Sequence, residues 1–367
     1  MSNEKRSSFT GKIGFVLAAA GSAVGLGNIW RFPYLAAKYG GGIFLLTYLI
    51  LAVTFGFALM TAEIALGRKT GLSVVGAFSK LNKKFTFLGY LAAFVPAIIL
   101  PYYSVIGGWV TKYFFAFCTG GGVDAAHDSY FGGFITSTAE PIGWFFIYIG
   151  LTALVVLFGV EKGIEKVSKI MMPVLVVLSV VIAGYSMTIP GAIDGVKYYI
   201  TPDFGKFSVT TVLAAMGQLF YSMSLAMGIM VTYGSYMKKE VNLESSVSNI
   251  EIFDTGIAFL AGLMVIPAVF AFTGAAPQSP GPGLMFISLP QVFINMGKIG
   301  VIVGALFFLL VLFAALTSSI SLMETVVSIV CDKFRISRKV SCLVVFVFSV
   351  IMGLLSCFGY GMWADFT

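Results

Sequence analysis

The chain has 367 residues, of which 58% are hydrophobic and only 11% are charged, and its mean hydropathy is +0.96. Ordinary soluble domains carry roughly 25% charged residues, so this composition excludes a soluble globular protein and indicates an integral membrane protein. The formal net charge of +7 does not indicate nucleic-acid binding, because the basic residues lie in alternate loops and not on one face.

Apolar stretches long enough to cross a hydrocarbon core of about 30 Å recur along the whole chain. We predict nine transmembrane helices, called spans one to nine, over residues 13–38, 41–67, 86–118, 142–160, 167–189, 209–236, 250–274, 297–330 and 338–360. Basic residues cluster before span one and after spans two, four, six and eight. The positive-inside rule therefore places the N-terminus in the cytoplasm of a multi-pass protein. No cleavable signal peptide is expected.

Neither the cysteines nor the histidine indicates a metal site. The cysteines lack the spacing of metal ligands or of a disulfide framework, and we interpret them as apolar filler: Cys118, Cys331, Cys342 and Cys357. His127 lies in the outer loop after span three, where a solvated position is expected. The chain also has no HExxH, no GxSxG with a usable histidine and no phosphate-binding loop, so we expect no enzymatic activity.

Span one contains the sequence GSAVGLGNIWRFP, which places helix breakers and polar groups at membrane depth. Gly21, Gly25 and Gly27 lower the helix propensity, and the side chain of Asn28 is costly against acyl chains. Irregular backbone at this depth survives only where protein or a polar cavity surrounds it. We therefore predict a break in span one that lines a cavity.

Span six, GQLFYSMSLAMGIMVTYGSY, contains a second predicted break, where Ser222, Ser224 and Gly228 crowd its centre. Breaks at corresponding positions of two halves indicate the substrate site of a transporter built from inverted repeats. Half-helix N-termini offer N–H groups to an anion, and unwound carbonyls offer oxygen to a cation. The alternative is that the glycines only allow close helix packing, which explains neither Asn28 nor the serines.

Span eight contains AALTSSIS, with Thr317, Ser318 and Ser319 consecutive in an otherwise apolar helix. Such hydroxyls most often donate to a carbonyl one turn earlier, and this interpretation accounts for one or two of them. Oxygen is also the ligand that hard cations prefer. Two of these hydroxyls and the carbonyls of the broken span one could therefore form a sodium site.

The sequence GSAVGLGNIWRFPYLAAKYGGGIFLLTY closely resembles the neurotransmitter:sodium symporter family, in particular its bacterial amino-acid transporters. The similarity continues through PYYSVIGGW, YSMSLAMG and AALTSSIS and covers essentially the whole chain. It implies an all-α transporter fold of the leucine-transporter type in one transmembrane domain, 1–367. The first five-helix repeat would be 13–189, and 209–367 would be an incomplete second repeat. The resemblance places the protein in the bacterial inner (plasma) membrane and is compatible with a homodimer.

The resemblance implies two sodium sites. The first would use the Ala23 carbonyl and the side chains of Asn28, Ser222 and Asp254. The second would use the carbonyls of Gly21, Val24 and Ala314 with the hydroxyls of Thr317 and Ser318. Asp254 stands where many relatives have Asn, and it could instead cap a helix start. We favour the ion role, because a buried carboxylate needs a cation.

Chloride is not expected to be required. Tyr48, Gln218 and Ser222 match positions around the chloride site of the family, but Ala258 stands where chloride-dependent relatives have a serine. The fixed carboxylate of Asp254 could balance the sodium charge in place of the anion.

The resemblance also implies the substrate. Gly25 matches the aspartate that pairs with the ammonium in amine carriers, so the substrate must bring its own carboxylate, as an α-amino acid does. The carboxylate would meet sodium, the N–H groups of Leu26 and Gly27 and the Tyr103 hydroxyl, while the ammonium would meet the carbonyls of Ala23 and Tyr221 and the hydroxyl of Ser224. The side chain would lie among Ile99, Ile106, Tyr221, Met227 and Leu322, near Ser318. This uncharged wall indicates a hydrophobic or aromatic amino acid; without the resemblance, core packing would be the simpler interpretation.

Gate residues follow from the same resemblance. Arg31 and Phe32 lie where the family closes its outer gate. The inner gate would pair Arg6 with Asp332, with Phe9 and Tyr236 nearby. Glu63 in span two is a buried acid, which we interpret as a structural hydrogen-bond anchor.

The sequence departs from the family in its length, because relatives generally have eleven or twelve spans and this sequence ends soon after span nine. The acidic partner of the outer-gate arginine normally lies in span ten. We therefore expect a fragment, a truncated product or a chain completed by another polypeptide. The alternative function is a non-transporting membrane scaffold.

Overall fold

The computed structural model describes residues 8–279 and 281–363. Within these ranges the regular structure is helical, with one isolated β-bridge between Gly41 and Pro202. Seven helices are long and apolar enough to cross a membrane: Gly42–Thr70, Lys83–Cys118, Ala139–Leu157, Val160–Thr188, Leu243–Thr273, Lys298–Phe334 and Arg338–Tyr360. They correspond to the predicted spans two to five and seven to nine.

Span one is broken, as the sequence predicts. Its halves, Lys12–Ala23 and Gly27–Lys38, meet at an angle of 50° and count as an eighth crossing only when taken together. Val24 adopts an extended conformation (φ −76°, ψ 103°) and ends the first half. The second half opens with a π-helical turn over Gly27–Arg31 and continues as an α-helix over Phe32–Lys38, with Pro33 at the junction between the two.

Span six does not form a long helix. The structure therefore has eight of the nine predicted spans as long crossings, counting the bent span one, and span six is divided into two short helices. It consists of Val209–Ser222 and Ile229–Gly234, joined by the non-helical residues 223–228, which we call the unwound segment. Ser224 and Ala226 lie in the left-handed region at φ 54° and 59°. Each costs about 1 kcal/mol or more for a residue with a side chain, so the surrounding contacts must hold the unwound segment in place.

Several helix ends differ from the hydropathy prediction. Span seven begins at Leu243 instead of residue 250, with Asn242 accepting from the Ser245 N–H at 2.8 Å as an N-cap. Span five begins at Val160 instead of 167, in a π-helical turn. Hydropathy marks the part of a helix inside the bilayer, whereas capping decides where the helix itself begins.

Shorter helices connect the spans on both sides. They are Val74–Leu81, Gly122–Ala125, Asp128–Thr136, Ala192–Ile200 and Leu289–Asn295. A helical turn at Leu284–Ser288 precedes the last of these. Phe286 in this turn stacks on Phe131 with ring centroids 5.0 Å apart, and Tyr113 donates to its carbonyl at 2.9 Å.

The two broken elements lie in the centre of the bundle. Nine of the twelve residues in the first half of span one are buried, and so are all six residues of the helix Ile229–Gly234, the inner half of span six. Phe9 seals the inner end of this centre. Its N–H donates to the Tyr236 carbonyl at 3.1 Å, and its ring meets those of Tyr233 and Tyr236 edge to face at 5.7 and 6.2 Å.

Candidate functional site

A central chamber lies where the breaks of spans one and six face spans three and eight. Its wall consists of Ser22, Ala23, Gly25, Leu26, Gly27, Ile99, Tyr103, Tyr221, Ser222, Ser224, Met227, Ile229, Ser318 and Leu322. The space between these residues measures about 30 Å³, which holds about two water molecules. The structure therefore represents a closed form, in which side chains must move before a larger molecule fits.

One polar cluster adjoins the chamber around Asp254, which is fully buried. Asn28 Nδ2 donates to its Oδ1 at 2.7 Å, and Tyr48 Oη and Ser222 Oγ donate to its Oδ2 at 3.0 and 3.2 Å. Asp254 lies well inside the helix Leu243–Thr273, so the alternative of a helix cap is wrong. Side chains of spans one, two and six thus donate to one carboxylate of span seven.

No positively charged side chain forms an ion pair with Asp254 among the described residues. Its hydrogen-bond donors are all neutral. An ionised carboxylate without a cation is costly in such a position. The carboxylate could therefore hold a small cation together with the Ser222 oxygen. Asn28 turns its amide nitrogen toward Asp254, while its Oδ1 accepts from the Gly25 N–H at 3.1 Å.

A second cluster surrounds Ser318. Its Oγ lies 3.5, 3.2 and 3.3 Å from the carbonyl oxygens of Gly21, Ser22 and Val24. One hydroxyl proton cannot serve three carbonyls, so oxygen acceptors outnumber donors here. Such a cluster is the environment that a hard cation prefers.

The neighbouring hydroxyls of span eight behave differently. Thr317 donates back to the carbonyls of Phe313 and Ala314 at 2.9 and 3.1 Å, and Ser319 donates to Leu316 at 3.0 Å. Back-bonding thus accounts for two of the three hydroxyls, and only Ser318 is directed at the break. The Thr317 hydroxyl still lies beside the Ala314 carbonyl, next to span one.

The break of span one presents backbone N–H groups to the chamber. Leu26 N donates to Tyr103 Oη at 3.3 Å, and the helix Gly27–Arg31 begins immediately afterwards. Ser224 of the unwound segment donates to the Ser22 carbonyl at 3.1 Å. One end of the chamber is therefore a helix N-terminus with a partial positive charge, and the other is rich in carbonyl and hydroxyl oxygen.

All residues predicted to bind the substrate line the chamber, with the exception of Ile106. It lies about 4.5 Å further along the helix axis than Tyr103, which does line the chamber. Ser22 and Ile229 line the chamber although the sequence analysis did not select them; Ser22 stands directly beside the glycine-rich break, which is the signal that could have identified it.

Arg31, the predicted outer-gate residue, lies next to the chamber wall. It donates to Gln218 Oε1 at 2.8 Å and lies 5.5 Å from the centre of the Tyr221 ring. Gln218 in turn donates to the Gly27 carbonyl at 2.9 Å. Gln218 thus lies between Arg31 and the break of span one. Tyr48 and Ser222 also match the chloride site of the family, but here they donate to Asp254. Ala258 is fully buried.

The inner side has an ion pair that the sequence analysis missed. Arg338 at the start of span nine forms a two-point pair with Glu324, which is fully buried, and Tyr236 Oη donates to the same carboxylate at 2.7 Å. Asp332 accepts from the Ser73 N–H at 2.7 Å. Its predicted partner Arg6 lies outside the described residues.

Replacing Arg338 by Gln is expected to destabilise the protein by about 3–5 kcal/mol, because it leaves the carboxylate of Glu324 buried without its cation. Thermal unfolding of the purified protein in detergent measures the effect. The double variant Arg338→Gln/Glu324→Gln removes both charges and should recover most of the loss. If the single variant melts like the wild type, this ion pair does not stabilise the inner side.

The model of the sodium:neurotransmitter symporter family matches residues 6–121 and 138–364. The uncharacterized sodium-dependent transporter YhdH of Bacillus subtilis is 36% identical over 374 residues, covering 100% of this chain and 81% of the relative. An uncharacterized sodium-dependent transporter of Methanocaldococcus jannaschii is 34% identical over 380 residues, covering 99% of this chain and 77% of the relative.

One solved structure has the same architecture. The crystal structure of MhsT in complex with L-phenylalanine superposes with a TM-score of 0.90 and 39% sequence identity. The match covers 99% of this chain and 83% of that chain.

Proposed function

The chain belongs to the sodium:neurotransmitter symporter family, and from that premise we propose that it imports a hydrophobic or aromatic α-amino acid together with sodium. Membership makes it a multi-pass membrane protein that depends on sodium and moves a small molecule across the lipid bilayer. The kind of amino acid, the residues that hold it and the number of sodium ions are the parts we propose.

The polar ends of the chamber support an α-amino acid. The substrate carboxylate would lie against the Leu26 and Gly27 N–H groups and the Tyr103 hydroxyl, where the helix N-terminus favours an anion. The ammonium would lie against the carbonyls of Ala23 and Tyr221 and the hydroxyl of Ser224. Gly25 at the break contributes no side-chain charge, so both charges of the substrate are met by backbone, hydroxyls and sodium.

The apolar part of the wall supports a hydrophobic side chain. Ile99, Met227 and Leu322 line it, and the MhsT relative is described as a complex with L-phenylalanine. A phenylalanine side chain exceeds the space of about 30 Å³. Entry therefore requires the outer side to open, and the flexible thioether chain of Met227 could then adapt to the guest.

Sodium is transported cargo in this proposal, and the two oxygen clusters would hold one ion each. The first ion would bind between Asn28, Ser222, Asp254 and the Ala23 carbonyl. The second would bind among the Gly21, Val24 and Ala314 carbonyls and the hydroxyls of Thr317 and Ser318. The observation that carries the proposal is the Ser318 hydroxyl directed at three carbonyls of the break, since this hydroxyl has one proton and can donate to only one of them at a time.

Uptake by purified protein in lipid vesicles tests this function. An inward sodium gradient should drive accumulation of labelled L-phenylalanine, and a potassium gradient of the same size should not. Ser318→Ala should abolish the sodium dependence, whereas Ser248→Ala, at a partly exposed position of span seven away from the chamber, should leave it unchanged. Binding without accumulation would favour the non-transporting scaffold, and binding indifferent to sodium would contradict the proposal.

Chloride should not be needed, because the Asp254 carboxylate supplies a fixed negative charge beside the first sodium. Replacing chloride by sulfate on both sides of the vesicle membrane is expected to leave the initial uptake rate within about twofold. A rate that rises severalfold with chloride would show that an anion contributes and that Asp254 does not replace it.

The broken elements also suggest how access alternates. In this proposal the repeats 13–189 and 209–367 rock about the chamber, with Arg31 closing the outer side and Tyr236 and Asp332 lying at the inner side. The N-terminus faces the cytoplasm, and the protein lies in the inner membrane. Substituted-cysteine labelling from either side of sealed vesicles would establish this orientation.

A further inference from the structure

A second cavity lies beside the chamber, behind the unwound segment. It forms a groove between span two, the helix Val74–Leu81, span three and the inner half of span six, and it measures about 350 Å³. Most of its wall is apolar, including Leu66, Phe78, Leu91 and Val95. Glu63 is the one ionisable side chain that lines it.

The carboxylate of Glu63 is only half satisfied. Oε1 accepts from the Ala226 N–H at 2.7 Å, but Oε2 is buried and has no hydrogen-bond partner among the described residues. No described cation pairs with it either. A buried acceptor without a donor costs about 1–3 kcal/mol, and more when it is charged. Glu63 Oε2 therefore needs a hydrogen-bond donor from a molecule bound in the groove, and a cationic donor would also balance its charge.

The outer end of the groove faces the lipid. Leu91 is 60% exposed on span three, a helix long and apolar enough to cross the membrane. Ala226 is also exposed, although it lies in non-helical backbone between the halves of span six. Irregular backbone at membrane depth must be covered by protein or by a polar environment. An acyl chain alone would cover Leu91 but would leave Glu63 without a donor.

We propose that this groove binds an amphiphilic amine that enters from the bilayer. Its ammonium group donates to Glu63 Oε2, and its hydrocarbon chain lies along the apolar wall past Leu91. A charge-assisted hydrogen bond of this kind is strong in an apolar environment. A neutral alcohol offers a donor without the balancing charge, and a fatty acid adds a second negative charge. Water finds few polar partners in such a groove.

Binding at this site also bears on the central chamber. The carboxylate that receives the amine holds Ala226, and the next residue, Met227, lines the chamber. The two cavities thus share one wall, the unwound segment. An amine in the groove should fix that wall in its present position.

Equilibrium dialysis of labelled octylamine against the full chain in lipid nanodiscs tests the site, with protein-free nanodiscs as the baseline. We expect saturable binding close to one molecule per chain above that baseline. Octanol and octanoate should compete at least tenfold more weakly than unlabelled octylamine. The assay contains neither amino acid nor ion gradient, so its outcome is independent of the proposed transport.

Two variants locate the binding. Glu63→Gln removes the charge and should weaken binding at least tenfold; Leu91→Trp fills the groove and should do the same without touching the carboxylate. Leu343→Trp is the matched control, because Leu343 is 61% exposed on span nine and should bind octylamine like the wild type. Three results would overturn the proposal: octanol that competes as strongly as octylamine, octylamine binding that Leu91→Trp leaves unchanged, or binding no greater than that of protein-free nanodiscs.

Discussion

Gly25→Ala is expected to weaken amino-acid binding at least 100-fold, which corresponds to about 2.7 kcal/mol. A Cβ atom at this position would lie 2.5 Å from Ser318 Oγ and 3.0 Å from Tyr103 Oη. Both distances are shorter than van der Waals contact, and both groups belong to the site proposed for sodium and substrate. The methyl group therefore displaces the atoms that would bind the ion and the carboxylate.

Equilibrium binding of labelled L-phenylalanine to the purified protein, titrated with sodium, measures this effect. Gly184→Ala is the control, because a Cβ at that position of span five meets nothing within 4 Å. It should bind like the wild type. Gly25→Ala protein with wild-type affinity would show that the substrate does not lie at the break of span one.

Asp254→Ala is expected to reduce sodium-driven uptake at least 1,000-fold. The substitution removes the proposed counter-charge of the first sodium and leaves the donors Asn28, Tyr48 and Ser222 without their shared acceptor. Each buried donor without an acceptor costs about 1–3 kcal/mol, so thermal stability should fall as well.

A second variant separates charge from folding. Asp254→Asn keeps the volume and one side-chain oxygen but removes the charge. It should fold and melt close to the wild type, while the sodium concentration that gives half-maximal uptake rises at least tenfold. An unchanged sodium response in Asp254→Asn would mean that the carboxylate is a structural hydrogen-bond acceptor and not part of an ion site.

The break in span one could be predicted because its residues do not suit a helix that faces lipid. Glycines and an asparagine at the centre of an apolar run have no place in a lipid-exposed helix, and the structure breaks span one there, at Val24. Composition likewise identifies a membrane protein with helical spans. The resemblance adds the residues that gather around Ser318 and Asp254, whose positions no pattern within a single span reveals.

What the sequence did not predict depends on contacts between distant parts of the chain. The pair of Glu324 and Arg338 joins two spans, and a charge at either position alone has several interpretations. The resemblance implies that Ile106 contacts the substrate, but whether a residue of span three lines the chamber depends on how that helix packs against spans one, six and eight, and Ile106 does not line it. The start of span seven at Leu243 is an exception with a local cause, because it depends on the Asn242 cap, which a hydropathy pattern does not reveal.

The ring contacts of Phe9 have a consequence for the populations of the protein's conformers. Two edge-to-face pairs link Phe9, which precedes the first half of span one, to Tyr233 and Tyr236, each worth about 0.5–1.5 kcal/mol beyond its buried area. Together they favour the conformer in which these rings meet by roughly 5- to 150-fold over one in which the rings separate. A conformer that is open at this end of the bundle is then a minor population of the protein at rest.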